Sequence, residues 1–155
     1  MQSKIKAAQL LAEFAHGDQM YGSSPYMTHL EGVAEIAKSF PEAVDIGVTA
    51  VIVVSYLHDI LEDTDVQPEL LVRFGNDVLH AVIKLTKRKE VTYESYLSEI
   101  KKTPLALLVK KADTMYNLQQ SVYNGNLKRI AKYTKQLSIL TGVTDVYGKT
   151  EKTCL

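Results

Sequence analysis

Apolar residues recur at helical spacing along almost the whole chain. Ile5, Leu10, Leu11 and Phe14, with alanines between them, predict an amphipathic helix over 5–16. "GSSP" at 22–25 reads as a turn, and a second helix is expected to begin near Met27 or Thr28 and run to Ser39. The run "VDIGVTAVIVVSYLHDILEDT" reads as a third helix despite its β-branched residues. It is too long for an ordinary strand and has no turn residue after Gly47. "PELLVRFG" puts Pro68 at a helix start and Gly75 at a helix end. "NDVLHAVIKLTK" follows with Asn76 as expected N-cap, and "TYESYLSEIKK" and "TPLALLVKKADTMYNL" each open on a threonine in cap position. "NLKRIAKYTKQLSIL" is the last helix, with a loose tail over 141–155. The expectation is an all-α bundle of about seven helices in one domain over 1–155, with its core over about 5–140, no convincing sheet and no internal repeat.

One stretch breaks the pattern. "YLHDILEDTDV" at 56–66 brings a histidine and four carboxylates to the end of one of the most apolar runs in the chain. On a regular helix each residue turns by about 100°. With His58 at the origin, Asp59 falls near about 100°, Glu62 near about 40° and Asp63 near about 140°, so the four share one side. Before His58 the helix is apolar all round, the mark of a buried central helix. The charged side is therefore expected to point into a cleft inside the protein. Carboxylates crowded at low dielectric repel one another unless a cation sits among them, and a divalent metal answers that need. Imidazole nitrogen with carboxylate oxygen suits Mn, Fe, Zn or Co. Taken alone, His-Asp also suits a solvated helix end, so two further positions matter. Asp113 stands at the edge of the stripe Leu105, Leu108, Val109, Ala112 and Met115, and His29 lies one turn before Val33 and Ile36. Both can face inward, supplying two His and two Asp from three helices and leaving Glu62 and Asp63 for acid/base work.

Composition limits the alternatives. Lys plus Arg and Asp plus Glu both number 18, so no net positive field exists to draw in a nucleic-acid duplex or a membrane surface. The single cysteine, Cys154, offers neither a disulfide nor a thiolate metal site. The N-terminus mixes polar and apolar residues too finely for a signal peptide, and no apolar run approaches the roughly 18 residues of a membrane span. A reducing cytoplasm is the expected setting. His16 and His80 receive no role and are expected at partly buried helix positions.

At this point the sequence resembles a known family. "HLEGVAEIA", "LHDILEDT", "FGNDVLHAVIKLTK" and "VKKADTMYNL" stand in the order and at about the spacing of the small alarmone hydrolases, the hydrolase domain of the RelA/SpoT proteins within the HD superfamily. The resemblance runs from about Ala7 to Leu118. It implies an all-helical HD fold that holds one divalent ion, usually manganese, through His29, His58, Asp59 and Asp113. It also implies that Glu62 and Asp63 are the catalytic pair acting on the attacking water, and that Asn117 contacts the nucleotide. The implied reaction removes the 3′-pyrophosphate of guanosine tetra- and pentaphosphate. Lys87, Arg88, Lys89, Lys110 and Lys111 are candidates to hold so anionic a substrate, and read equally well as solvated surface charge. The partner is then a small nucleotide, and the oligomeric state is open. With the chain ending at Leu155, no synthetase domain is expected to follow, and the activity is expected to be degradative.

The chain also departs from that pattern. Where the family usually carries a basic pair before the first metal histidine, "DQMYGSSPY" offers Met20 and Tyr21, and Gln120 stands where a threonine is common. Met and Tyr can stack on a base but give no cationic contact. Two other readings therefore stay open: the same chemistry on a deoxynucleotide or a nicotinamide dinucleotide phosphate, and a degenerate HD module that binds a nucleotide without turning it over. The second has no need of Glu62 and Asp63 together.

Overall fold

The computed structural model describes residues 2–143 and is built almost wholly of helices. Cys154 and most of the expected tail lie outside the described residues. The helices are α1 (Gln2–His16), α2 (Tyr26–Ser39), α3 (Glu42–Ile46), α4 (Val48–Leu57), α5 (Ile60–Asp63), α6 (Pro68–Leu71), α7 (Asn76–Leu85), α8 (Tyr93–Lys101), α9 (Pro104–Tyr123) and α10 (Leu127–Thr141). A 3-10 turn, Val72–Phe74, follows α6. None of these helices is long and apolar enough to cross a membrane.

The core forms around α4 and α9. Helix α4 is buried at Val51 and from Val53 to Leu57, as an all-round apolar helix should be. It packs on α1, α2, α7 and α9. Helix α9 turns Leu105, Leu108, Val109 and Ala112 inward and lies against α2, α4 and α10. Helix α1 docks through small residues instead. Ala8 and Ala12 are fully buried, whereas Leu10 and Phe14, expected on the core face, are exposed, Phe14 at 85%. Alanine lets the α1 backbone approach α4 closely, and the larger side chains are left outside.

The single helix expected over 44–64 is three helices. Gly47, at φ 113°, ends α3 and starts α4. That φ is open to glycine and strained for other residues. The second break falls at His58 and Asp59. Asp59 has φ −101° and ψ −1°, the sparsely occupied region favoured by turns and active-site residues. Its carbonyl accepts from Glu62 N at 3.2 Å and Asp63 N at 2.9 Å, restarting the helix as α5. The chain therefore bends at the His-Asp pair, and a regular helical wheel does not carry across it.

Smaller differences have local causes. "PELLVRFG" divides into α6 and the 3-10 turn before Gly75, at φ 119°. Asn76 is the first residue of α7 and not its cap, because Gly75 occupies the capping position. Thr92 does cap α8, accepting from Ser95 N at 3.2 Å, and Asn126 caps α10 from Arg129 N at 3.1 Å. Thr103 makes no such bond, and Pro104 at the first position starts α9. Although no sheet was expected, the turn before α2 is a small antiparallel hairpin that pairs Met20 with Pro25 and Tyr21 with Ser24. Gly22, at φ 58°, is its only residue with positive φ, which fits a two-residue type II′ loop.

Candidate functional site

Three elements deliver the central cluster. Helix α2 brings His29, the break between α4 and α5 brings His58 and Asp59, and the middle of α9 brings Asp113. His29 and His58 are 2% exposed and Asp113 5%. His29 Nε2 lies 3.1 Å from Asp113 Oδ1 and 3.8 Å from Asp59 Oδ2. His58 Nε2 lies 2.9 Å from Asp59 Oδ2 and 3.6 Å from Asp113 Oδ1. Adjacent donors around an ion with bonds of about 2.1 Å stand roughly 3.0–3.5 Å apart, so this spacing suits a metal. The buried atoms of His29, His58 and Asp113 form a group able to hold one, and Asp59 Oδ2 stands beside them, 2.9 Å from His58 Nε2.

Hydrogen bonding fixes how His58 faces the cluster. Its Nδ1 lies 2.7 Å from the Ser55 carbonyl, which can only accept, so Nδ1 carries the proton. In the neutral ring Nε2 then offers its lone pair. That atom is buried and makes no directed hydrogen bond, an orphan that a metal would satisfy. Electrostatics agree with a cation-seeking site. Burial works to raise the Asp59 pKa, but the neighbouring His58 outweighs it and holds the carboxyl at about 2. Burial likewise opposes ionisation of Asp113, yet Lys110, His29 and His58 pull it well below the ordinary range.

Lys110 donates to Asp113 Oδ2 at 3.0 Å from the same helix. Asn117 Nδ2 donates to Asp113 Oδ1 at 3.0 Å, and the Tyr21 hydroxyl donates to Asn117 Oδ1 at 2.7 Å. The Tyr21 ring stacks on His29, with centroids 4.8 Å apart and planes 9° apart, and Tyr116 meets His29 edge-on at 5.0 Å. Burial pushes the Tyr21 hydroxyl up to about 12, against the pull of Arg129, so it stays neutral and donating. The Tyr26 hydroxyl, from the first turn of α2, donates to Asp59 Oδ2.

Glu62 and Asp63 do not join the buried cluster. Both are exposed, at its rim, because the break at Asp59 swings α5 away from the line of α4. Glu62 Oε1 accepts from Lys87 N at 2.7 Å, and Asp63 Oδ2 accepts from Gln19 Nε2 at 2.9 Å. Burial raises the Glu62 pKa, with the Lys87 N–H opposing. The expectation that all the carboxylates crowd inside one cleft is thus corrected: Asp59 and Asp113 do, Glu62 and Asp63 flank the mouth.

The basic candidates separate. Lys110 turns inward. Lys87 contributes its backbone N–H to Glu62 while its Nζ bonds the Arg88 carbonyl at 3.3 Å. Arg88 pairs with Glu90 at 3.0 Å, and Lys111 lies over the Phe40 ring, 4.0 Å from Glu42. Arg129, overlooked in the sequence, stands near Tyr21 and the Tyr133 hydroxyl, which is 3.4 Å from its Nη2. Its position at the start of α10 gave no signal without knowing that α10 folds back on α9. Tyr26 could have been found, since it precedes His29 by one helical turn. His80 is exposed, whereas His16 is buried.

No protein-family model and no curated protein sequence matches the chain. A solved structure does. It is that of a metazoan ortholog of SpoT, described as hydrolysing ppGpp and playing a role in starvation responses. The two share 25% identity over 90% of this chain and 86% of the other, with a TM-score of 0.69. The fold is that of a SpoT-like HD hydrolase domain. The SpoT-like fold accounts for the all-α architecture and for the buried His and Asp cluster at its centre.

Proposed function

We propose that the chain is a single-domain, metal-dependent pyrophosphohydrolase of guanosine tetraphosphate, working in the cytoplasm. The observation that carries this reading is the convergence of His29, His58, Asp59 and Asp113 at ligand spacing within a SpoT-like fold. These four would hold one divalent ion, with manganese the first choice. A bound ion would supply acidification of water and charge withdrawal from a phosphoryl oxygen.

The chain's own residues would do the rest. Glu62, one oxygen held by Lys87 N–H, keeps its other oxygen to accept the proton of the attacking water. Asp63, anchored by Gln19, stands beside it to orient that water or return a proton to the leaving ribose oxygen. Water attacks the phosphorus on the 3′ oxygen, that P–O bond breaks, and the products are pyrophosphate and GDP. Lys110 and Arg129 supply positive charge on the α9 and α10 side for a highly anionic substrate.

A second reading keeps the site and changes the nucleoside. It is favoured by Met20 and Tyr21, because Tyr21 places a neutral ring and hydroxyl beside His29 and gives no cationic contact to a base. The deciding experiment is product analysis on metal-stripped protein with guanosine tetraphosphate, with and without added manganese. Manganese-dependent release of pyrophosphate and GDP establishes the first reading. No release from protein that binds one ion per chain, with turnover of another nucleotide in a panel, establishes the second.

A further inference from the structure

His16 is 6% exposed, and the metal cluster does not use it. Its Nδ1 lies 2.8 Å from Gln19 Oε1. The amide of Gln19 has no freedom to flip, because its Nε2 donates to Asp63 Oδ2 at 2.9 Å and a carboxylate only accepts. Gln19 Oε1 must therefore accept, and the His16 proton must sit on Nδ1. His16 Nε2 is buried and has no partner, so the ring's whole polar commitment runs through Nδ1. The backbone of Gln19 is held as well: its N–H donates to His16 O at 2.9 Å, and its carbonyl accepts from Tyr26 N at 3.0 Å. The His16 ring packs on Tyr26 with centroids 4.7 Å apart, and the Tyr26 hydroxyl reaches Asp59. The segment 16–26 is thus a brace between the end of α1 and the carboxylates of Asp59 and Asp63.

We propose that His16 and Gln19 are positioning residues, a relay from the buried end of α1 that fixes the carboxylate of Asp63 at the mouth of the metal site. The inference rests on the hydrolase reading for the role of Asp63. An unanchored carboxylate at the exposed end of α5 samples several rotamers. A misplacement of about 1 Å can cost on the order of a hundredfold in rate. Gln19 removes that freedom without adding charge, and His16 keeps Gln19 from turning its carbonyl toward Asp63.

The test separates a relay from simple packing. An asparagine amide places an N–H where imidazole has Nδ1, whereas leucine fills the volume and offers no donor. With manganese-loaded full-length protein and guanosine tetraphosphate, Gln19→Met and His16→Leu are expected to lower kcat about tenfold, with KM and manganese affinity within about twofold. His16→Asn is expected to stay within about threefold of the parent. Gln19→Met added to Asp63→Asn is expected to cost nothing more. Gln19 is partly exposed, so its variant keeps the test open should His16→Leu fail to fold. Equal loss in His16→Asn and His16→Leu, or full additivity of Gln19→Met with Asp63→Asn, overturns the relay. Nitrogen NMR of His16 in the parent protein needs no substrate and separates this inference from the activity reading. A proton on Nδ1, with Gln19 amide protons that exchange faster in Asp63→Asn, supports the relay even if every nucleotide is refused. A proton on Nε2 overturns it even if guanosine tetraphosphate is hydrolysed.

Discussion

The Tyr21 hydroxyl donates to Asn117 Oδ1 at 2.7 Å, and the other end of that amide donates to Asp113 Oδ1 at 3.0 Å. Both ends of Asn117 are thus committed inside the protein. With one partner at each end, Asn117 is first a support of Asp113, and only its second N–H and second lone pair remain for any other partner. Tyr21→Phe keeps the ring stacked on His29 and removes the hydroxyl. It leaves the buried acceptor unpaired, at a cost of about 1 kcal/mol or somewhat more. The expected result is a melting temperature lower by about 2–4 °C. Calorimetric titration is expected to show weaker metal binding, because Asp113 loses a tethered partner. An unchanged melting temperature and metal affinity would show that the amide pairs equally well without Tyr21.

The cluster and the rim carboxylates are expected to separate by substitution. Asp59→Ala removes one member of the proposed metal set and the partner of His58, so metal binding and turnover should both be lost. Glu62→Gln leaves the buried set untouched and should keep the metal while kcat falls by about 10²–10⁴. The Glu62 carboxyl, raised by burial, must be ionised to accept a proton. The rate of the parent should therefore fall on the acid side at a pH above the ordinary glutamate value of about 4.3. Metal content by elemental analysis beside kcat distinguishes the two variants.

Much of this was legible in the sequence because the helical periodicity involved is a strong one. The apolar faces of α2, α7, α8 and α9 follow helical spacing, and His29, His58, Asp59 and Asp113 stand where buried faces meet. What failed depended on backbone geometry. Gly47 looked like an interior residue, and the turn at Asp59 follows from its dihedral angles, with no proline or glycine to announce it. The face of α1 was misread because leucine and phenylalanine outweigh alanine in any hydrophobic count, whereas close helix packing selects alanine. Gln19 and His16 reach Asp63 across 44 or more residues of chain, a relation that no local pattern encodes.

Gly32 on α2 faces Tyr116 so closely that a Cβ there would stand 2.1 Å from the ring. Gly32→Ala gains about 1 kcal/mol of helix propensity but drives Tyr116 off the His29 edge, losing a contact of about 0.5–1.5 kcal/mol. The two nearly cancel, so thermal stability should hardly move. In a Tyr116→Ala background the collision is gone, and the same substitution is expected to stabilise by up to about 1 kcal/mol. Denaturant titration of the four proteins checks this cycle, and equal effects in both backgrounds would remove Tyr116 as the reason for glycine.

At the proposed metal site a metal would compete with a proton for His58. Burial opposes its charge, but Asp59 and Asp113 outweigh burial and raise its pKa well above the ordinary value. A raised folded-state pKa stabilises fully below the unfolded value of about 6.5 and is lost as pH climbs through the folded value. Asp59, lowered to about 2, works in the opposite sense and is lost only as pH falls toward that figure. Metal-free protein should therefore lose stability on the alkaline side, and metal should restore it there by replacing the proton on Nε2. Melting curves across pH in chelator and in manganese, with proton release measured on binding, check the sign. Stability of the chelated protein that rises above about pH 7 would contradict it.

Lys110 offers the sharpest test that the cluster is built for a cation. Its Nζ is largely buried, 3.0 Å from Asp113 Oδ2, and Asp113 raises its pKa well above the usual lysine value against the pull of burial. Removing one partner of a buried ion pair typically costs about 3–5 kcal/mol, because the charge left behind is uncompensated. In Lys110→Met that charge is Asp113, left with His29, His58 and the Asn117 N–H to answer it. A divalent ion bound beside Asp113 would supply the missing positive charge. The destabilisation should therefore be large in chelator and much smaller in saturating manganese, a difference read directly from paired melting curves. An equal loss under both conditions would mean that the ion does not bind against Asp113, and the metal set would have to be redrawn without it.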